Sequence, residues 1–228
     1  MKKALIILSC VVVAVLAFAT AFLLAYDNVQ GTTEKPVLYI YSPQEQLVTV
    51  SVDVDGAIDT AYPAPDAQET TDRGTQASWT VTASPDGTLT DRSGRTYPSL
   101  FWDGPVGQES PEEGFVVARE DAVPFLEEKL ALLGLTDKEA ADFITYWAPR
   151  IRANEYTFVS FDASSYTAHA RYSFTDEAGA PVEPDTFIRV FMTIRQAEAT
   201  TQVREQVFGP TPQRTGLVAV EWGGTEEQ

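Results

Sequence analysis

The sequence predicts an α+β fold, predominantly antiparallel β as a sandwich or curled sheet, with an inserted two-helix hairpin and one N-terminal transmembrane helix ahead of it. Three observations carry this prediction. An apolar run, residues 4–26, interrupted only by Ser9, Cys10 and Thr20, follows Lys2 and Lys3. Val48, Val50, Val52 and Val54 alternate with Thr49, Ser51 and Asp53, the period of a strand buried on one face. Between Asp121 and Trp147 the apolar spacing lengthens to that of helices, and strand-like runs resume afterwards.

At ~1.5 Å per residue the first run reaches about 34 Å as a helix, enough for a ~30 Å hydrocarbon layer. It reads either as an uncleaved anchor or as a signal peptide. Ala17-Phe18-Ala19 supplies a small-residue cleavage site, but Phe22, Leu23 and Leu24 continue the apolar run beyond it. Cys10 lies early in the run and reads as a small membrane-helix residue rather than a lipidated one. Positive charge ahead of the span puts the N-terminus in the cytoplasm and the rest outside. The expected location is therefore the cell membrane, single-pass, or the exterior if the segment is cleaved. Residues 27–34 read as a spacer, 35–224 as the extracytoplasmic domain and 225–228 as a polar tail.

The chain has 33 acidic and 16 basic residues, a formal net charge of −17; without Lys2 and Lys3, 14 basic residues remain and the charge is −19. Such a surface makes nucleic acid a poor partner. Cys10 is the single cysteine, so no disulfide can staple the exported part and packing must hold it.

Taking the elements in order, Lys35–Tyr41 and Gln46–Val54 are predicted strands, and Asp55-Gly56 a hairpin turn into 57–62. Residues 63–76, rich in Pro, Thr, Asp and Gln, read as a loop. Ser78–Ala83, Thr88–Thr90 and Arg95–Phe101 form an antiparallel meander turned at Asp86-Gly87 and Ser93-Gly94. Val123, Leu126, Leu130 and Leu133 make one helical stripe, with Asp121 as its expected cap and Gly134 as its stop. Thr136 and Glu139 have capping-box spacing ahead of Ala140, Phe143, Ile144 and Trp147. Strands resume at 156–161, 168–174 and 187–194. A polar excursion over 200–214 precedes a last apolar strand, Gly216–Trp222.

Several motifs recur together: Lys35-Pro36-Val37-Leu38-Tyr39-Ile40-Tyr41, Leu100-Phe101-Trp102-Asp103-Gly104, Tyr146-Trp147-Ala148-Pro149-Arg150, Ile188-Arg189-Val190-Phe191-Met192 and Val220-Glu221-Trp222-Gly223-Gly224. With Trp79-Thr80-Val81 and the 125–135 segment, they resemble a family of uncharacterised exported or membrane-anchored microbial proteins that carry KPVIYLYP-like and LFWEG-like motifs. The likeness spans roughly Lys35 to Gly224. This chain has Tyr41-Ser42-Pro43 where the pattern runs Tyr-Pro, and Asp103 where glutamate is commoner. The family implies no activity to carry over.

Nucleophilic and metal chemistry lack their residues. His169 is the single histidine, in a predicted strand, with no Gly-x-Ser-x-Gly elbow; one histidine is too few for a zinc site. No glycine-rich phosphate loop opens a helix, so no cofactor is expected. Asp53-Val54-Asp55-Gly56 and Asp86-Gly87 with Asp91 place oxygens around turns, which tight turns need in any case. Asp103, Glu112, Glu113 and Glu120 lie where the sheet meets the helices, and a carboxylate-dependent glycan hydrolase would use such a pair. The stronger hint is aromatic. Tyr97, Phe101, Trp102, Tyr146 and Trp147, with Arg150 and Asp103, suit either core packing or a groove that stacks a sugar or holds a peptide. The preferred expectation is a binding or interaction module at the cell envelope, with Tyr97, Trp102, Asp103, Trp147 and Arg150 as ligand contacts, an envelope glycan or protein as partner, and the glycan hydrolase as rival.

Overall fold

The computed structural model describes residues 32–107 and 109–227, so the predicted membrane segment 4–26 lies outside the described residues. Among the described residues no helix is long and apolar enough to cross a membrane.

The strands are β1 (Thr32–Tyr41), β2 (Gln46–Val54), β3 (Thr60–Tyr62), β4 (Ala67–Thr70), β5 (Thr75–Ala83), β6 (Leu89–Asp91), β7 (Thr96–Tyr97), β8 (Leu100–Pro105), β9 (Glu113–Ala118), β10 (Tyr156–Phe161), β11 (Ala170–Thr175), β12 (Thr186–Ala197), β13 (Arg204–Glu205) and β14 (Val218–Glu226). The helices are α1 (Ala122–Leu132), α2 (Asp137–Ile151) and the short α3 (Ser164–His169). One sheet of eight strands runs β13-β9-β10-β12-β14-β1-β8-β3. A smaller sheet runs β11-β2-β5-β6-β7, with β4 also on β5. All pairings are antiparallel except β12 with β14 and β13 with β9. The α+β class and the dominance of antiparallel strands are as the sequence predicts.

Two cores lie on opposite faces of the larger sheet. Between the sheets, Val48, Val50, Val52 and Val54 of β2 meet Leu38, Ile40, Leu100, Trp102 and Phe191. On the other face the α1–α2 hairpin lays Leu126, Leu130, Phe143 and Trp147 on Val37, Tyr39, Val190, Met192 and Trp222. The layers are thus sheet, sheet and helix pair. β2 is one-sided and alternates; β14 is two-sided, and every residue from Val218 to Thr225 is buried. A strand covered on both faces reads as a continuous apolar run instead of an alternation.

The glycines after Trp222 explain part of that motif. A Cβ on Gly224 would lie 2.4 Å from the Met192 carbonyl and 2.7 Å from the Trp147 ring, so the indole closes directly on backbone. Beside it, the register of β1 shifts between Glu34 and Val37 against β14 and between Thr33 and Val37 against β8, with Lys35 at φ +52° and Pro36 contributing no N–H.

Several local expectations need correction. Asp55-Gly56 is not a hairpin turn. The chain crosses there from the smaller sheet to the larger, where β3 pairs with β8. Gly56 is needed for close approach, since a Cβ would sit 2.0 Å from the Pro105 carbonyl. Residues within the predicted 63–76 loop pair as β4, and β13 lies in the 200–214 excursion. His169 ends α3 instead of lying in a strand. Asp121 gives α1 no side-chain cap, whereas Thr136 and Glu139 form the capping box as predicted.

One charge is buried between the sheets. Glu221 is 1 % exposed, receives Arg189 Nε at 2.6 Å and accepts the Tyr166 hydroxyl at 2.7 Å. Arg189 also donates to the Ala170 carbonyl. Nearby, Trp102 Nε1 donates to the Tyr172 hydroxyl at 2.7 Å. Burial, then the charge of Glu221, pushes both tyrosine hydroxyls well above their ordinary pKa.

Two predictions follow from this packing. Gly224→Ala lowers the urea midpoint by the equivalent of about 1–3 kcal/mol without changing the slope. Gly209→Ala, where an added Cβ meets nothing within 4 Å, leaves the midpoint in place. Arg189→Met strands the Glu221 carboxylate and costs about 3–5 kcal/mol in the same assay.

Candidate functional site

The five residues expected to share a groove do not share one. Trp102 is 1 % exposed and packed between the sheets, while Trp147 is fully buried on the helix side of the larger sheet. A sheet separates them. Tyr97 is buried at the margin of the smaller sheet, its hydroxyl donating to Asp91 at 3.1 Å and its ring edge-on to Tyr62. The continuous groove expected from these aromatics is therefore corrected: these rings are fixed by core packing and local hydrogen bonds.

Arg150 and Asp103 fall together in one region. Arg150, on the last turn of α2, sets its guanidinium 3.7 Å from the Tyr146 ring centre and donates to the Tyr146 carbonyl at 2.8 Å. Its Nε lies 3.4 Å from Glu34, which accepts the Tyr146 hydroxyl at 2.8 Å. The bulge in β1 turns Lys35 toward the same ring, with Nζ at 4.7 Å. Tyr146 is thus held by two cations and one carboxylate. Burial, then the hydrogen bond to Glu34, pushes its hydroxyl pKa up to about 12, and the Asp103 charge adds to the shift. Asp103 keeps one buried carboxylate oxygen, Oδ1, without a hydrogen-bond partner among the described residues.

Beside Glu34 opens a cleft of about 460 Å³, lined by Glu34, Asn154, Gln196, Glu226 and Glu227. It lies where β1 begins, α2 has just ended, and β12 and β14 finish. Glu227 is held by Arg195 at 2.9 Å and by the Ser110 hydroxyl at 2.9 Å. Glu226 is exposed and has no ion-pair partner among the described residues. Three carboxylates and two amides give the cleft acceptors in excess and two amide donor groups, a lining suited to hydroxyl or ammonium groups. Sequence reasoning missed it because Glu34 reads as spacer and Glu226 and Glu227 as tail. The available signal was acidic residues abutting the first and last strands.

The other acidic candidates have local partners or stand apart. Asp86 and Asp91 accept backbone N–H groups of their own turns. Glu113 pairs with Arg204 at 2.6 Å, and Glu112 and Glu120 are exposed. Among the described residues no group of three or more His, Cys, Asp or Glu side chains is arranged to hold a metal. His169 Nδ1 lies 3.2 Å from Asp55, which also binds Arg171 and Arg73. Through these contacts the end of β2 is joined to α3 and β11.

No family model matches this chain, and neither a curated protein nor a solved structure matches it.

The Asp55 cluster predicts acid sensitivity. Arg171 chiefly, then Arg73 and His169, holds the Asp55 carboxyl well below its ordinary pKa, against an opposing effect of burial. A depressed folded-state pKa contributes stability above the unfolded value near ~3.9 and loses it as pH falls further toward the folded value. Wild-type protein therefore loses more stability between about pH 5 and 2 than Asp55→Asn, measured by urea denaturation across that range.

Proposed function

We propose that residues 4–26 hold this protein at the cell membrane and that the domain outside the cytoplasm is a binding module for an envelope glycan. The observation that carries this reading is the Glu34–Glu226 cleft, whose five lining residues are all carboxylates or amides and whose wall is braced by the Lys35–Tyr146–Arg150 stack. Sugar hydroxyls and amino groups are the ligands such carboxylates and amides recognise. The position of the cleft supports a role close to the membrane. From Tyr26 the chain can extend no more than about 20 Å before it enters β1 at Thr32. The aromatic motifs add to this reading only through Tyr146 and Arg150, since Trp102 and Trp147 serve the two cores.

The test is to titrate solubilised envelope glycan fragments against the full chain in nanodiscs by calorimetry. Glu226→Gln and Gln196→Ala should each weaken binding by about tenfold, as the loss of hydrogen bonds made to charged or buried groups does. Equal binding by wild type and both variants would remove the cleft from the proposal. Release of shorter glycans that stops in Glu34→Gln would replace the binding module with a carboxylate-dependent hydrolase.

A further inference from the structure

A second surface lies at the outer edge of β9, with β10, β12 and β14 between it and the start of β1. Arg119 N donates to the Glu155 carbonyl at 3.0 Å, and Val117 stands opposite Thr157. The two-residue alternation therefore turns the N–H and C=O of Phe115 and Val117 toward β10 and those of Val116 outward. On that outer side β13 covers only Glu113 and Gly114, in parallel. The chain then leaves the edge, as the Gln206 side chain bonds both backbone groups of Phe161. Among the described residues no strand pairs with the outer side of Val116, and such an open sheet edge is one that natural sheets usually blunt or cover.

Alongside runs an open pocket of about 390 Å³ lined by Phe115, Val116, Phe125 and Val203 together with Lys129 and Glu205. The large apolar side chains most exposed among the described residues are Tyr62, Leu132 and Val207, and the last two lie on the segments that carry Phe125 and Phe208. Leu132 is one heptad beyond Phe125 on α1, and Val207, 90 % exposed, sits between Gln206 and the Phe208 ring that packs on Phe115. An open strand edge, a pocket beside it with aromatic and charged walls, and exposed aliphatic side chains on the neighbouring segments are the parts of a site that binds by adding a strand.

The charges select the occupant. Lys129 is paired with Glu128, Arg204 with Glu113, and Arg119 donates to the Ala153 and Asn154 carbonyls. Glu112, Glu120 and Glu205, around the ends of the edge, have no ion-pair partner among the described residues. With a chain charge of −17, a second copy of the protein meets like charge, whereas a basic peptide meets complementary charge. We propose that the outer edge of β9 is a strand-addition site for an extended segment of a partner protein, one with an apolar side chain for the Phe115–Phe125 cavity and lysine or arginine on either side of it. This surface is independent of the Glu34 cleft.

The test pans a display library of roughly ten-residue random peptides against the full chain in nanodiscs, with Val116→Pro as counter-selection. Proline at Val116 removes an outward N–H and breaks no bond to β10, so the variant keeps the wild-type urea midpoint. Enriched peptides should alternate, carry a central apolar residue and basic flanks, and lose at least about tenfold in affinity on Val116→Pro and on Val207→Lys by fluorescence anisotropy. Three results would overturn the proposal: no enrichment over the counter-selection, acidic consensus flanks, or a wild-type dimer in sedimentation that Val116→Pro converts to monomer.

Discussion

The rest of the structure depends on β14 being covered on both faces. It lies between β12 and β1, its backbone is paired on both sides, and every side chain up to Thr225 is withdrawn from water. Such a strand requires two separate covers, and the smaller sheet and the α1–α2 hairpin supply them. It also requires that a charge placed in it be answered locally, as Glu221 is by Arg189 and Tyr166. Where a neighbour must approach its backbone closely, no side chain fits. Trp147 closes over Gly224, and across the strand pair the Lys35-Pro36 bulge lies against Gly223.

The same constraint explains why certain motifs dominate the sequence without marking a site. Trp102, Trp147 and Trp222 are large because they fill the spaces between layers, and burying a tryptophan against backbone and aliphatic neighbours is worth several kcal/mol, about 3–5 by truncation. Groups able to make reversible contacts lie instead at the ends and margins of the larger sheet, where its covers stop. Glu34, Glu226 and Glu227 occupy one such end, and the Val116 edge occupies another margin.

Much of the fold was legible because local rules and tertiary packing agree. The four valines of β2 fix a strand whose limits, Gln46 and Val54, are those read from alternation. The Thr136–Glu139 box fixes the start of α2 for reasons internal to one helical turn. The failures are positions where long-range contact decides. Gly56 has the composition of a turn, but its task is to let β2 leave one sheet beside Pro105 and enter the other. The segment ending at His169 alternates enough to resemble a strand. It forms a helical turn because Tyr166 must stack on Phe191 at 4.1 Å and reach Glu221. For the site, periodicity identifies aromatic residues as buried or facing, but it does not say which face of a two-sided sheet each one takes. That ambiguity is why Trp102 and Trp147 read as neighbours.

The pairing of β1 with β14 carries a consequence for how the protein is made. The first described strand and the last are adjacent in the middle of the larger sheet, and Tyr39 and Val220 stand opposite each other. A chain that emerges N-terminus first thus holds β1 without its principal neighbour until β14 has followed. Pairings so distant in sequence form late, because closing the long loop between them costs entropy before any contact compensates for it. By seating its first and last described strands side by side in the central seam, this topology delays condensation of the larger sheet until β14 is available.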